Sequence, residues 1–466
     1  MKTKRKDLTV LQSLLPFIVV IVFGLLSVMR WKVGMNMPII LGIVTACIIG
    51  FLNGKAWSEL QKGLVDGVAR GLPALFILII IGAIMGSWIQ GGIISTLIYY
   101  GLKLISPRFF VPAACLVTAI VAVSTGTSFT SIATVGIALM VTGIGMGFSP
   151  PLLAGAIISG AYFGDCISPL SDTPNLASAI TGVNLFDLIK SLAMAEIPAL
   201  FISLIVFFFL GNREVTSTTG NLETINSIIN GLESSFVISP FLLLIPVLTI
   251  VLSAKKVPSL PALFIVAILG GLAGIFVQGE SPMAVFNAMT NGFVSESGNE
   301  LIDSLLSRGG INSMGNTVIL LIIAVGFGGI LEEIGALDSI LNVIMKRINS
   351  TGSLVLVTIL SGLFVAFATG AQLLAIVIPA RMFNNAFVER NLDLVNLARA
   401  AQSTGAIAIN LVPWSVPALF AQQVLGISAI EFIPFIIFAY ATLVINIIYG
   451  FTGFTIKKEE VLNERI

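Results

Sequence analysis

The sequence predicts an all-α, polytopic membrane protein of about ten to eleven helical spans. They are arranged as two inverted repeats, each holding a re-entrant hairpin and a broken helix. Three observations carry this. Of the 466 residues, 56% are hydrophobic and 10% charged, with a mean hydropathy of +1.05, whereas a soluble domain is nearer a quarter charged. Apolar runs long enough to cross a hydrocarbon core of about 30 Å recur at Leu14–Met29, Ile39–Leu52, Pro73–Ile89, Leu192–Leu210, Phe236–Leu252, Leu260–Phe276, Thr317–Leu331 and Phe432–Tyr449. Finally, two stretches of chain match in one ungapped register.

The elements follow in chain order. Lys2-Thr3-Lys4-Arg5-Lys6 precedes the first apolar run. A basic run with no small-residue cleavage site after it reads as the flank of a retained helix, and the positive-inside rule places the N-terminus in the cytoplasm of a cell-membrane protein. Residues 1–72 are N-terminal membrane helices, 73–211 a first repeat, 212–316 connecting loops with two membrane helices, 317–455 a second repeat and 456–466 a tail. The long hydrophilic intervals, Asn212–Ser234 and Glu280–Asn316, read as loops or interfacial helices.

The register is a shift of 244 residues, which carries Val121-Ala122 onto Val365-Ala366, Thr125-Gly126 onto Thr369-Gly370, Pro169 onto Pro413, Ser171 onto Ser415 and Gly182 onto Gly426. It also aligns Lys103 with Arg347 and Asp187 with Glu431. Each repeat contains a small polar tip between two apolar segments, Ser124–Ser128 and Ala368–Gln372. Hydroxyls and small residues there can satisfy a backbone that reverses at membrane depth. Each also contains a helix interrupted by prolines and polar residues, Asp165–Asn175 and Asn410–Pro417. Broken segments at corresponding places in two halves point to a transporter's binding site. A plain span, hairpin, broken span and closing span make an odd number of crossings, which inverts one half against the other. The loop charges at Arg30, Lys32, Lys255-Lys256 and Lys457-Lys458 do not settle that orientation.

Composition excludes several classes. A net charge of +1 offers no surface for nucleic acid. Cys47, Cys115 and Cys166 have no metal-ligand spacing and no evident disulfide pairing. Histidine is absent, so carboxylates are the main candidates for proton work near neutral pH. No nucleophile–base pair is visible, so an enzyme is not expected, nor is any cofactor beyond sodium as a transported or coupling ion.

The polar residues then fall into two groups. An aspartate at the centre of a membrane helix costs about 2.5–3.5 kcal/mol on the translocon scale, so Asp165 and Asp172 need a compensating partner, and clustered oxygens at that depth suit sodium or a proton. Sodium is expected at Asp165, Asp172 and Asn175, with Ser168, Ser171, Thr125, Thr127 and Ser128 as further ion ligands. The plainer readings are helix capping by the aspartates and satisfaction of broken backbone by the rest. In the second repeat Thr369, Gln372, Gln402, Ser403, Asn410, Trp414 and Ser415 are candidates for an organic substrate, against turn formation and, for Trp414, interfacial packing. Glu332 and Glu333 with Asp338 read as a membrane boundary, Glu196 as a helix-start residue or a buried proton carrier, and Arg381 as a snorkelling cation or a partner for a substrate carboxylate.

Ser159-Gly160-Ala161-Tyr162-Phe163-Gly164-Asp165, then Ser168-Pro169-Leu170-Ser171-Asp172-Thr173 and Asn175-Leu176, resembles the signature of the NhaC-type sodium/proton antiporter family. Ser307–Ile311, Phe327–Glu332, Val377–Phe383 and Leu411–Trp414 fit the same family, and the resemblance covers nearly the whole chain. It implies a fold with inverted repeats, hairpins and broken helices, and exchange of sodium for protons; some close relatives instead move an organic or amino acid with sodium, as malate/lactate exchangers do. Three departures stand out. Cys166 occupies a position where relatives commonly have lysine, Pro174 stands where they commonly have threonine, and Gln402-Ser403 replaces an acidic pair.

The expected function is therefore a secondary active transporter, a sodium/proton antiporter working by alternating access, in which sodium and protons compete for buried aspartates. The alternative is a sodium-coupled symporter or exchanger of a small organic acid or amino acid. The expected partners are sodium, protons, the lipid bilayer and, in the second reading, that organic solute. Related folds are often dimers, which keeps a homodimer open by analogy.

Overall fold

The protein, seen here in a computed structural model, is described for residues 8–31, 33–104, 106–217, 221–255, 257–298, 302–303, 306–337, 339–340 and 350–458. The Lys2–Lys6 run, Lys32, Lys256, Asp338 and Arg347 lie outside them. Helices dominate these residues: no strand is assigned among them, and a single antiparallel bridge joins Leu392 to Lys458. Seven helices are long and apolar enough to cross a bilayer, or up to ten if each of three bent pairs is one span. Shorter apolar helices include Val10–Gly24, Asn36–Leu52, Leu260–Phe276 and Gln372–Val388.

The helices are α1 (Val10–Leu25), α2 (Asn36–Leu52), α3 (Trp57–Gln90), α4 (Ile93–Leu104), α5 (Pro107–Thr125), α6 (Ser128–Gly145), α7 (Pro150–Ile167), α8 (Asp172–Thr181), α9 (Leu185–Ser217) and α10 (Asn221–Ser235). The remainder are α11 (Leu244–Ala254), α12 (Ser259–Phe276), α13 (Pro282–Asn291), α14 (Gly315–Glu333), α15 (Thr351–Thr369), α16 (Gln372–Val388), α17 (Leu394–Leu411), α18 (Val416–Leu425), α19 (Ala429–Phe432) and α20 (Ile437–Thr452). The hydrophilic interval 212–234 thus carries the end of α9 and most of α10.

The 244-residue shift holds for the helices themselves. It carries α5 onto α15, the start of α6 onto that of α16, α7 onto α17 and α8 onto α18, end for end. Each hairpin turns at a glycine in the left-handed region, Gly126 (φ 70°) and Gly370 (φ 61°), where an L side chain is strained. Each second half-helix likewise stops at a left-handed glycine, Gly182 or Gly426.

Helix α3, which leads into the first repeat, crosses its equivalent α14 through glycines. A Cβ at Gly67 would lie 2.4 Å from the Val325 carbonyl oxygen, and one at Gly329 would lie 2.2 Å from the Gly63 carbonyl oxygen. Residues 63, 67 and 71 meet 333, 329 and 325 in reverse order, so the equivalent helices run antiparallel, as inverted repeats require. Small residues let membrane helices approach this closely. Lys55 pairs with Glu333 at 2.8 Å and Arg70 with Glu332 at 2.6 Å across the same crossing.

The repeats interlock. Helix α8 packs on α16, the second leg of the other repeat's hairpin, and α18 packs on α6. Phe129 on α6 stacks on Phe420 of α18 with centroids 4.2 Å apart. This reciprocal packing brings both breaks to one buried junction.

Candidate ion-binding site

The first break is built around Asp165. Helix α7 ends at Ile167, Ser168–Ser171 cross the gap, and α8 begins at Asp172. Asp165, in the last turn of α7, is 5% exposed. Its Oδ2 accepts a hydrogen bond from the Ser128 hydroxyl at 2.7 Å and its Oδ1 one from the Ser171 hydroxyl at 2.5 Å. The Ser128 amide also faces the carboxylate. Because Ser128 opens α6, Asp165 sits on the positive end of a half-helix, and charge-assisted bonds of this kind are about twice as strong as neutral ones. No lysine or arginine forms an ion pair with Asp165 among the described residues. The carboxylate is thus held by neutral donors, leaving its charge for a mobile cation to balance.

Ser171 works twice: it caps α8, accepting from the Thr173 amide at 3.3 Å, while donating to Asp165. Ser168 ties the gap to the hairpin through its hydroxyl, which donates to the Val123 carbonyl at 2.8 Å. A Cβ on Gly126 would lie 2.6 Å from that of Leu170, so the hairpin tip rests directly on the break.

The second break repeats the frame without the charge. Position 409, equivalent to 165, is Ile409, 0% exposed. Ser415, equivalent to Ser171, caps α18 through the Ala418 amide at 3.2 Å and donates instead to the Ile409 carbonyl at 2.9 Å. The Trp414 indole donates to the Phe367 carbonyl at 2.8 Å. Phe367 is equivalent to Val123, so both repeats anchor the break on the same carbonyl with different side chains. The Val416 amide completes the closure on Gly370 at 2.9 Å.

Across the junction, the Gln402 amide donates to the Thr173 hydroxyl at 2.8 Å, and Thr173 lies 3.2 Å from the Ser171 hydroxyl. A polar chain therefore runs Gln402, Thr173, Ser171, Asp165, Ser128 between the repeats. Among the described residues, several buried oxygens beside it have no hydrogen-bond partner: Tyr162 Oη, Gln402 Oε1 and Asn410 Oδ1. The Tyr162 hydroxyl faces Ser128 and Asn410. Oxygens without donors are what a hard cation uses as ligands, whereas leaving them dry and unpaired costs about 1–3 kcal/mol each.

The structure sorts the expected residues. It gathers Asp165, Ser128, Ser171, Gln402 and Asn410 at one junction. A second buried aspartate is corrected: Asp172 is exposed, because Ser171 takes the cap and leaves Asp172 in the first turn of α8, favourable to the helix dipole by itself. Asn175 is exposed too, its amide donating to the Pro169 and Ser171 carbonyls at 3.0 and 2.7 Å, which closes the gap. Thr125 makes only long contacts, 3.4 Å to the Ser131 hydroxyl and to the Thr127 carbonyl, while Thr127 itself is half-buried. Thr369 donates to the Val365 carbonyl at 2.8 Å, and Gln372 reaches the Ala406 carbonyl at 3.5 Å. Ser403 donates to the Arg399 carbonyl at 2.8 Å and accepts from Asn446 at 3.0 Å. Arg381 is exposed. Glu196 is no helix-start residue: α9 runs unbroken through it, because Pro198 is tolerated inside the helix.

Two residues were hidden from sequence reasoning. Tyr162 stood inside the signature as one more apolar position. Arg399 is 2% exposed, bonded to the Ser191 and Thr455 hydroxyls at 3.3 and 3.0 Å. Periodicity could not have flagged it, since this part of α17 is buried on every face.

The sequence is similar to known proteins along nearly its whole length. The model of the Na+/H+ antiporter family matches residues 4–173 and 160–454. A Na+/H+ antiporter, NhaC, of Alkalihalophilus pseudofirmus is 34% identical over 458 residues, covering 98% of each chain. NhaC of Bacillus subtilis is 35% identical over 417 residues, covering 89% of this chain and 92% of the other. A malate-2H+/Na+-lactate antiporter of Bacillus subtilis is 34% identical over 451 residues, covering 95% of each.

Proposed function

The chain belongs to the Na+/H+ antiporter family, and on that premise we propose that it exchanges sodium for protons by alternating access, with the two ions competing at Asp165. It is a multi-pass membrane protein. The observation that carries the reading is the buried Asp165 carboxylate, bound by two serine hydroxyls and lacking any fixed cation. Ionised, it draws sodium to the oxygens around it; protonated, it is neutral and releases sodium. Competition at one group exchanges the ions without two separate paths. The interlocked repeats, 73–211 and 317–455, supply the parts that move: rocking one against the other exposes the junction to alternate sides. The cell membrane, with the N-terminus in the cytoplasm, follows from the basic N-terminal run.

The similarity to a malate-2H+/Na+-lactate antiporter favours a second reading, in which an organic acid is moved with the ions and Gln402 and Asn410 contact it. One experiment separates the two. The purified protein is placed in liposomes, a sodium gradient is imposed, and internal pH is read with no organic solute present. Sodium-dependent proton flux that vanishes in Asp165→Asn supports the exchanger. Silence until malate, lactate or an amino acid is added sinks it in favour of the second reading.

A further inference from the structure

Outside the Asp165 cage lies a second carboxylate that exchange at Asp165 does not use. Glu196 stands within α9, is 0% exposed, and neither of its carboxyl oxygens has a hydrogen-bond partner among the described residues. Its helix packs against α5, α7, α8, α17 and α20. The titratable and charged groups on those elements are Arg108 and Cys115 on α5, Tyr162, Asp165 and Cys166 on α7, Asp172 on α8, Arg399 on α17, and Tyr440 and Tyr449 on α20. Asp165, Arg399 and Cys166 are the three within electrostatic reach of Glu196, and Cys166 lies within reach of Asp165 and Gln402 as well. No ion pair with Arg399 forms among the described residues. Arg399 is satisfied by Ser191 and Thr455 and by the Tyr449 ring at 5.9 Å.

This environment admits a carboxylic acid. An ionised carboxylate without donors, inside an apolar span, is among the most expensive groups a membrane protein can hold. Sodium is no remedy, because Glu196 has none of the hydroxyl partners that surround Asp165. A structural role is equally poor: the acid makes no hydrogen bond, and an apolar side chain of similar volume would pack at no such cost. An intramembrane acid kept under these terms is a functional group by default.

We propose that Glu196 is a second proton-exchanging group of the transport cycle, separate from the Asp165 cage. In the conformation seen here the acid keeps its proton on one carboxyl oxygen. In the alternate conformation, with water admitted at the junction, the O–H bond breaks, the proton leaves to water, and the remaining carboxylate faces Arg399. The electrostatic link to Asp165 then couples the steps, since a charge at either site raises the cost of a charge at the other. The place in the cycle rests on the exchange reading above; the protonation itself does not.

The test uses the purified full chain. Infrared difference spectra between acid and alkaline pH are expected to show a carboxylic C=O band in the wild type that is missing in Glu196→Gln. Reconstituted Glu196→Gln is expected to bind sodium with unchanged affinity while moving one proton fewer per turnover. Identical difference spectra in the two proteins overturn the proposal, as does an unchanged proton count. If Glu196→Gln fails to fold, Glu196→Asp replaces it: a shifted midpoint of the band supports the assignment, and an unshifted midpoint overturns it. A purely structural residue would change thermal stability without moving that midpoint. Should wild-type liposomes show no sodium-driven proton flux, the exchange reading fails while the infrared result still reports on Glu196.

Discussion

The two breaks share a frame and differ in one chemical respect. In the first repeat Ser171 caps α8 and donates to the Asp165 carboxylate; in the second Ser415 caps α18 and donates to the Ile409 backbone carbonyl. Capping geometry, left-handed glycines and the anchoring carbonyls at Val123 and Phe367 are common to both. The frame is therefore what a broken helix needs in order to exist at membrane depth, and the carboxylate is what one repeat adds to it. A serine read as an ion ligand in both halves is, in the second, a backbone fastener.

The packing around the breaks differs by an exchange. Gly160 and Thr118 meet between α7 and α5, and the equivalent pair is Thr404 and Gly362, with glycine and threonine swapped. A Cβ at Gly160 would lie 1.9 Å from the Cys115 carbonyl oxygen, but one at Gly362 would meet the Thr404 hydroxyl at 2.1 Å. Backbone cannot yield as a side chain can.

These differences order the expected effects. Asp165→Asn should take sodium-dependent proton flux to background while leaving the protein folded, whereas Ile409→Val should leave flux intact; liposome assays of both check this. Gly160→Ala should destabilise by about 1–3 kcal/mol or more through overpacking, and Gly362→Ala by less, read as thermal stability in detergent. Ser171→Ala removes a donor that favours the ionised carboxylate, a bond worth about 1.5–3 kcal/mol. Protons then compete better, and apparent sodium affinity at fixed pH should fall by roughly 10- to 100-fold, since about 1.4 kcal/mol is one decade. Ser415→Ala should cost about 1 kcal/mol of stability as a lost cap with sodium affinity unchanged. Equal shifts in sodium affinity for the two serine variants would erase the distinction between the repeats.

Another hydroxyl-bound carboxylate, Asp303 in the connecting region, sets the small end of the scale. Asp303 accepts from the Ser295 and Ser297 hydroxyls and the Ser297 amide, each at 2.7 Å. The Ser295 bond, foremost, holds its carboxyl below the ordinary value of 3.8. A depressed value stabilises the loop above that ordinary pH, and the contribution fades as pH falls through the lowered one. The protection of amides 293–298, taken relative to their intrinsic exchange rates, should therefore stay constant from neutral down to about pH 4 and fall only below it.

Much of this was legible in the sequence because membrane folds write their constraints in residue type. The glycines at 126, 182, 370 and 426, with Pro169 and Pro413, fixed the register, since each marks a backbone feature both halves need. Asp165 was legible because a charge in an apolar run demands a reason. Asp172 misled on the same ground, since sequence does not say which of two nearby carboxylates lies past the cap and turns outward. Glu196 was ambiguous because burial depends on which helices cover it, and that is set by how α9 packs among them.

The most direct measurement is proton release on sodium binding by the solubilised protein in weak buffer with a pH-sensitive dye. Competition at Asp165 predicts that sodium drives protons out of the wild type and that Asp165→Asn releases none. An equal proton yield from Asp165→Asn and wild type would contradict the assignment of ion coupling to the first break.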